Sequence, residues 1–164
     1  MSVENKEDLI KDLYASFAAL NAEGMAKCYH EEIQFQDPAF GILKGERAMN
    51  MWRMLCERQK GKDFKINLIS SSVEDDTGSA TWEAFYTFGK TGRKVHNIIN
   101  AQFKFKDGKI IEHIDSFDLY KWSKQAFGPM GVILGWTSFF ERKVKTMSNE
   151  YLDSFEEKMQ NTTM

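Results

Sequence analysis

The spacing of the apolar residues changes along this chain, and that change constrains the fold more than any other feature. From Lys6 to Leu20 the residues Leu9, Ile10, Leu13, Tyr14, Phe17 and Leu20 recur every three or four positions, which lays them along one stripe of a helix. Asn21 can cap a second, short helix whose apolar face continues through Met25, Cys28 and Tyr29. Then the period drops to two. Ile33, Phe35 and Asp37 alternate with Gln34 and Gln36, so a carboxylate shares a strand face with apolar residues.

Pro38 cannot donate to a strand ladder, and the stretch from Asp37 to Gly45 reads as an ordered loop leading to a third helix. There Ala48, Met49, Trp52, Leu55 and Cys56 form the expected buried stripe, and Gly61 ends the helix. Four strand-like runs follow, Phe64 to Val73, Ser79 to Gly89, Lys94 to Lys106 and Lys109 to Asp118, separated by the turns EDDTG, KTG and KDG. Such short turns predict antiparallel neighbours in a curled meander. Helical spacing returns at Tyr120 to Phe127, before the Gly128-Pro129 breaker, and again in Phe140, Val144, Met147, Tyr151, Phe155 and Met159. This last stripe can pack on its own sheet or on a second subunit. The segment GWTSFF from Gly135 can serve as a lid or as a dimer contact.

Together these elements predict an α+β cone: a strongly curved, mostly antiparallel sheet closed at one end by the N-terminal helices. Residues 1–122 form the expected domain, and 123–164 a helical C-terminal extension packed on it or on a dimer partner. A chain of 164 residues, 42% of them apolar, is long enough for one such core. With 22 Lys+Arg against 24 Asp+Glu, and no dense basic cluster in any window, nucleic acid is not an expected partner. The acidic-polar start MSVENKEDLIKD is unlike a secretory leader. No apolar run approaches the roughly 18 residues of a membrane span. The cytoplasm is the expected compartment, no membrane partner is expected, and Cys28 and Cys56 are read as buried, reduced thiols.

The segment ALNAEGMAKCYHEEIQFQDPAFGILKG, the turn GRK, the paired aromatics of FKFKDGKI and the strand IIEHIDSFD, taken in order, resemble the ketosteroid isomerase and nuclear transport factor 2 superfamily. The closest likeness is to its SnoaL-type polyketide cyclase branch, over residues 6 to 122. The resemblance implies a cone with an apolar pocket and a homodimer formed through the outer sheet face. It also implies a general base at Asp37, in Gln36-Asp37-Pro38, which would abstract a proton beside a carbonyl. The same residue can equally cap its own Asp-Pro turn. The two oxyanion donors of the steroid enzyme are missing: their positions fall on Leu13 and Ala101. Steroid isomerisation is therefore not expected.

Other polar residues occupy the faces that the resemblance points inward. Trp82, Ala84, Tyr86 and Phe88 share a face; Tyr86 can donate its hydroxyl to a substrate oxygen or simply satisfy a core carbonyl. Asn97, in phase with Val95 and Ile99, is either a structural bridge or a ligand contact. His113, Asp115 and Phe117 share a face of the last strand, where His113 and Asp115 can act as an acid/base or water-orienting pair, or as an ion pair at the rim. Trp52 and Met49 are candidate pocket lining. His30, His96 and His113 sit in three different elements without metal-ligand spacing, and no phosphate loop occurs, so neither metal nor nucleotide cofactor is expected.

The functional expectation is a small, largely apolar, carbonyl-containing ligand, with isomerisation, cyclisation or hydration as the candidate reactions. Asp37, His113 and Asp115 are the candidate catalytic residues, and Tyr86, Asn97, Trp82, Trp52 and Phe117 the candidate ligand contacts. The alternative is a non-catalytic binding or interaction scaffold of the same fold.

Overall fold

The structure is a computed structural model and describes residues 2–162. Three helices, α1 (Val3–Ala18), α2 (Ala22–Cys28) and α3 (Glu46–Gln59), are interleaved with strands β1 (Tyr29–Asp37) and β2 (Gly41–Lys44). Strands β3 (Lys65–Glu74), β4 (Thr77–Phe88), β5 (Arg93–Lys106) and β6 (Lys109–Ser116) follow, then α4 (Leu119–Phe127), α5 (Pro129–Leu134) and α6 (Ser138–Thr162).

Capping fixes the first two helices where the sequence places caps. The Ser2 hydroxyl accepts from the Asn5 amide, and the Asn21 side chain accepts from Gly24. Lys6, almost fully buried, donates to Asp76 Oδ1 and to the Asp75 carbonyl, both at 2.6 Å, and so ties α1 to the β3–β4 turn.

The four long strands pair antiparallel in the order β3-β4-β5-β6, as their short turns require. Two features depart from the expected meander. The Asp37–Gly45 stretch is not a loop throughout: it doubles back as β2, with Asp37 opposite Gly41. Asp at the first and Pro at the second position of the turn suit a type I conformation, and Gly41 takes φ +75 beyond it. Strand β1 lies parallel to β6, an alignment that no local turn specifies. The resulting sheet, β2-β1-β6-β5-β4-β3, is curved but unclosed, with β2 and β3 as edges, and helices cover its inner face.

The core fills that inner face. Ile33 and Phe35 of β1, Trp82 and Ala84 of β4, Ile99, Ala101 and Phe103 of β5 and Ile110 of β6 are buried against Ile10, Leu13, Tyr14 and Phe17 of α1. In α3 the buried stripe is Ala48, Met51, Trp52, Met54 and Cys56; the expected Met49 and Leu55 are only half-buried, because α6 as well as the sheet packs on this helix. The C-terminal helices pack on the same chain. Phe140 and Val144 join Trp122, Ala126 and Val95 in a second cluster, and Leu152 is fully buried in the main core. Arg47 of α3 binds α6 through Glu156 at 2.5 Å and Asp153 at 2.8 Å. Among the described residues no helix is long and apolar enough to cross a membrane.

Candidate functional site

The inner face of the sheet, α3 and α6 line a partly open cavity of about 230 Å³. Its walls are mostly apolar: Phe35, Met51, Trp52, Met54, Trp82, Ile99, Phe117 and Trp122 among others. Of the expected lining residues, Trp82, Trp52, Phe117, Tyr86 and Asn97 all reach it, while Met49 does not and its helical neighbours Met51, Met54 and Leu55 do. An apolar cavity of about 150 Å³ accepts benzene, or ~25 Å³ per ring carbon. On that scale 230 Å³ holds a body of about nine heavy atoms, and the open side leaves room for a ligand to extend beyond it.

Two carboxylates face this space. Asp37 stands at the end of β1, where strand alternation turns it inward and the hairpin fixes it: its Oδ1 accepts from the Phe40 amide at 2.6 Å. Asp37 thus caps its own Asp-Pro turn and also lines the cavity. Burial pushes its pKa up to about 7, and the charge of Asp115 adds to the rise, while the Phe40 and Ala39 amides oppose it. Asp115, on β6, is buried, and its Oδ1 lies 2.9 Å from His113 Nε2 and accepts, over a longer 3.4 Å, from Trp82 Nε1.

His113 lies behind Asp115 rather than on the cavity wall. It is fully buried, stacked on Trp52 at 6.1 Å and edged by Phe35, and its Nδ1 is 2.8 Å from the Tyr29 hydroxyl. Burial holds the Tyr29 phenol protonated, with its pKa well above the usual value. His113 thus bridges the Tyr29 hydroxyl through Nδ1 and the Asp115 carboxyl through Nε2. The chain Tyr29–His113–Asp115 orients the cavity carboxylate from the protein side. His113 in this arrangement is a positioning residue. Tyr29 was not singled out from the sequence, because helical spacing placed it on the face of α2; its position as first residue of β1 is what aims it at His113.

Polar groups on the opposite strands complete the lining. Tyr86 accepts from Trp122 Nε1 at 2.7 Å, which leaves its own O–H for the cavity; burial pushes its pKa up to about 12, so it remains a donor. The Asn97 side chain lines the cavity and forms no hydrogen bond among the described residues. The buried Trp52 Nε1 likewise has no partner. His96, as its alternation predicts, turns outward and pairs with Glu83 at 2.7 Å. Among the described residues no three His, Cys, Asp or Glu side chains gather as a metal ion would require. Both cysteines are free and buried, and burial pushes each thiol up to about 11.

A curved sheet covered by helices matches the fold of the SnoaL-like proteins. The SnoaL-like domain model matches residues 10–113, and the chain belongs to that family. No curated protein matches it in sequence. Among solved structures it is similar to a SnoaL-like polyketide cyclase from Jannaschia sp. CCS1, so described, with TM-score 0.66, 14% identity, and coverage of 77% of this chain and 94% of that one. It is also similar to an LEH-like epoxide hydrolase of M. tuberculosis, with TM-score 0.62, 14% identity, and coverage of 84% and 96%. A third similar structure is Bal32a, from a soil-derived mobile gene cassette, with TM-score 0.65, 22% identity, and coverage of 75% and 97%. Likeness at these identities establishes the fold; the chemistry rests on this chain's own residues.

Proposed function

We propose that this protein binds a small, largely apolar molecule bearing a carbonyl or similar acceptor oxygen, and isomerises, cyclises or hydrates it with Asp37 as general base. The observation that carries the reading is the placement of Asp37, a carboxyl with a pKa of about 7 at the wall of an apolar cavity. A base is most effective when its pKa lies near the working pH. The Tyr86 hydroxyl and the Asn97 amide supply donors for the acceptor oxygen, Asp37 returns the proton it has taken, and Asp115, held by His113, supplies a second carboxylate that orients water.

Acetophenone, 2-cyclohexenone, δ-valerolactone and styrene oxide are suitable first probes, tested by thermal shift and then by product formation. Activity on any of them is expected to rise with pH to a plateau above about 7 and to fall roughly 10²–10⁴-fold in Asp37→Asn. Turnover that Asp37→Asn leaves unchanged removes the base assignment. The short bond from Phe40 to Asp37 also favours a second reading, a binding protein in which Asp37 only shapes the hairpin. That reading predicts equal ligand-induced shifts in wild type and Asp37→Asn, with no product from either.

A further inference from the structure

The segment after α4 is apolar on the side that faces away from the protein. Helix α5 is pinned to α4 by its small residues: a Cβ on Gly131 would fall 1.9 Å from the Ser123 carbonyl oxygen, and one on Gly135 would fall 1.9 Å from the Ser123 hydroxyl. That close approach fixes which residues turn outward. Met130, Val132, Ile133, Trp136 and Phe139 are between 50% and 73% exposed, with Trp136 the most. Scattered exposed apolar residues are ordinary on a protein surface, but five large ones within ten positions form a patch.

Beside this patch lies a depression lined by Arg93, Lys94, Lys121 and Lys124, with His96 and Gln125. The two features adjoin. Gly128, immediately before α5, packs against Arg93, whose Cζ would lie 2.9 Å from a Cβ at this position. The Lys124 ammonium sits over the Tyr120 ring, and the Tyr120 hydroxyl donates to the Val132 carbonyl at 3.4 Å. On the other flank Lys143 lies over the Phe139 ring. Among the described residues Arg93, Lys121 and Lys124 form no ion pair, and Lys94 has only a distant contact of 3.8 Å with the exposed Asp63. A chain of net charge −2 therefore places unpaired positive charge at the edge of this apolar patch.

We propose that this face docks on an anionic lipid surface, with Ile133, Trp136 and Phe139 entering the headgroup boundary and the cations of the depression taking lipid phosphates. An indole exposed at an apolar tip and lysines around it are what an interface between hydrocarbon and charged headgroups rewards. A second copy of the chain fits the patch less well. A twofold contact there would bring two sets of like charges together. A polyanion without hydrocarbon would use the cations and leave the apolar residues in water. The expectation that no membrane partner exists rested on the lack of a spanning segment, which a surface dock does not need.

The test is co-sedimentation of the full chain with vesicles of phosphatidylcholine alone and of phosphatidylcholine mixed with phosphatidylglycerol. Wild type is expected to partition onto the mixed vesicles and to stay in the supernatant with phosphatidylcholine alone. Each lysine near such a surface is worth about fivefold in partitioning, so Lys121→Gln with Lys124→Gln should weaken binding about 25-fold. Ile133→Ser with Trp136→Ser should abolish it while leaving the melting midpoint unchanged, since both side chains are exposed. Equal partitioning onto the two vesicle types, no partitioning at all, or wild-type binding by either double variant overturns the proposal. So does sedimentation velocity showing a dimer that Ile133→Ser with Trp136→Ser dissociates, which assigns the patch to a second copy.

Discussion

Asp37 carries two duties that load its carboxyl in opposite directions. The Phe40 N–H that closes the hairpin favours the charged form, whereas burial and the nearby charge of Asp115 favour the neutral one, and burial wins, leaving the group near 7. In the unfolded chain an aspartic acid titrates near ~3.9, so between these values the folded protein keeps a proton that the unfolded chain has released. Stability tied to Asp37 is therefore fully present at low pH, declines as pH rises through about 7, and stays low above it. A shift of about three units bounds the effect at about 4 kcal/mol. Asparagine keeps the Oδ1 acceptor for Phe40 and removes the charge. Asp37→Asn should then melt with wild type near about pH 4 and several degrees higher near about pH 8, at roughly 2–4 °C per kcal/mol for a chain of this size. Coincident midpoints at the higher pH would mean that Asp37 is solvated in the folded state.

Tyr86 gives a second test at the residue scale. Tyr86→Phe takes away the acceptor of the buried Trp122 indole, and leaving such a donor unpaired costs about 1–3 kcal/mol. Urea unfolding should show that loss in the midpoint at unchanged slope. No loss would mean that Trp122 finds another acceptor and that the hydroxyl is free for ligand alone. Strand alternation identified Tyr86, Asn97, Asp115 and Asp37 as inward-facing, because period two fixes the face of every residue once one is known. It did not show that His113 sits a layer behind Asp115. Depth along one face depends on which rings crowd it, here Trp52, Phe35 and Phe103, and these come from three other elements.

At the scale of elements, the readable parts were those fixed by local chemistry. Asn21 caps α2, and the turns EDDTG, KTG and KDG separate strands that pair as expected. Strand β2 was hidden because Pro38 and two glycines are loop residues by composition, although Asp-Pro followed by Gly41 is also the signature of a tight turn between paired strands. Helix α5 was hidden for a different reason: Gly128-Pro129 reads as a breaker and the segment from Gly135 as a lid or dimer contact, yet Gly131 and Gly135 are there to let α5 touch α4. Gly131→Ala tests that role directly. Its methyl group would fall on the Ser123 carbonyl, which is backbone and cannot rotate away, so α5 must shift. Overpacking of this kind costs about 1–3 kcal/mol. Thermal melting should register a drop of several degrees, whereas alanine at the exposed Val132 should change little. A Gly131→Ala protein as stable as wild type would show that the contact between the two helices is loose.

The whole molecule is organised by contacts that no local pattern announces. Strand β1 joins β6 in parallel across nearly half of the sequence, and this pairing brings Asp37 and Asp115 to one cavity. The period-two pattern of β1 is satisfied equally by any neighbour, so its partner had to come from the three-dimensional arrangement. The same holds for α6, whose apolar stripe suits its own chain and a second subunit alike. In the structure it closes the cavity with Met147, Ser148 and Tyr151, is bolted to α3 by Arg47, and sinks Leu152 fully into the main core. These attachments are unequal in energy. Arg47 is about a third exposed at its side chain, and its partner Asp153 more so, hence their pairing is worth at most about 1 kcal/mol. Truncating a buried leucine to alanine typically costs about 2–5 kcal/mol. If α6 is part of one cooperative unit with the sheet, Leu152→Ala should lower the stability of the entire protein by that amount and Arg47→Ala by much less, each in a single transition seen alike by circular dichroism and tryptophan fluorescence. If α6 is only an appendage, Leu152→Ala will instead leave the main transition in place and raise amide exchange in α6 alone, and the cavity wall it supplies will open without unfolding the sheet.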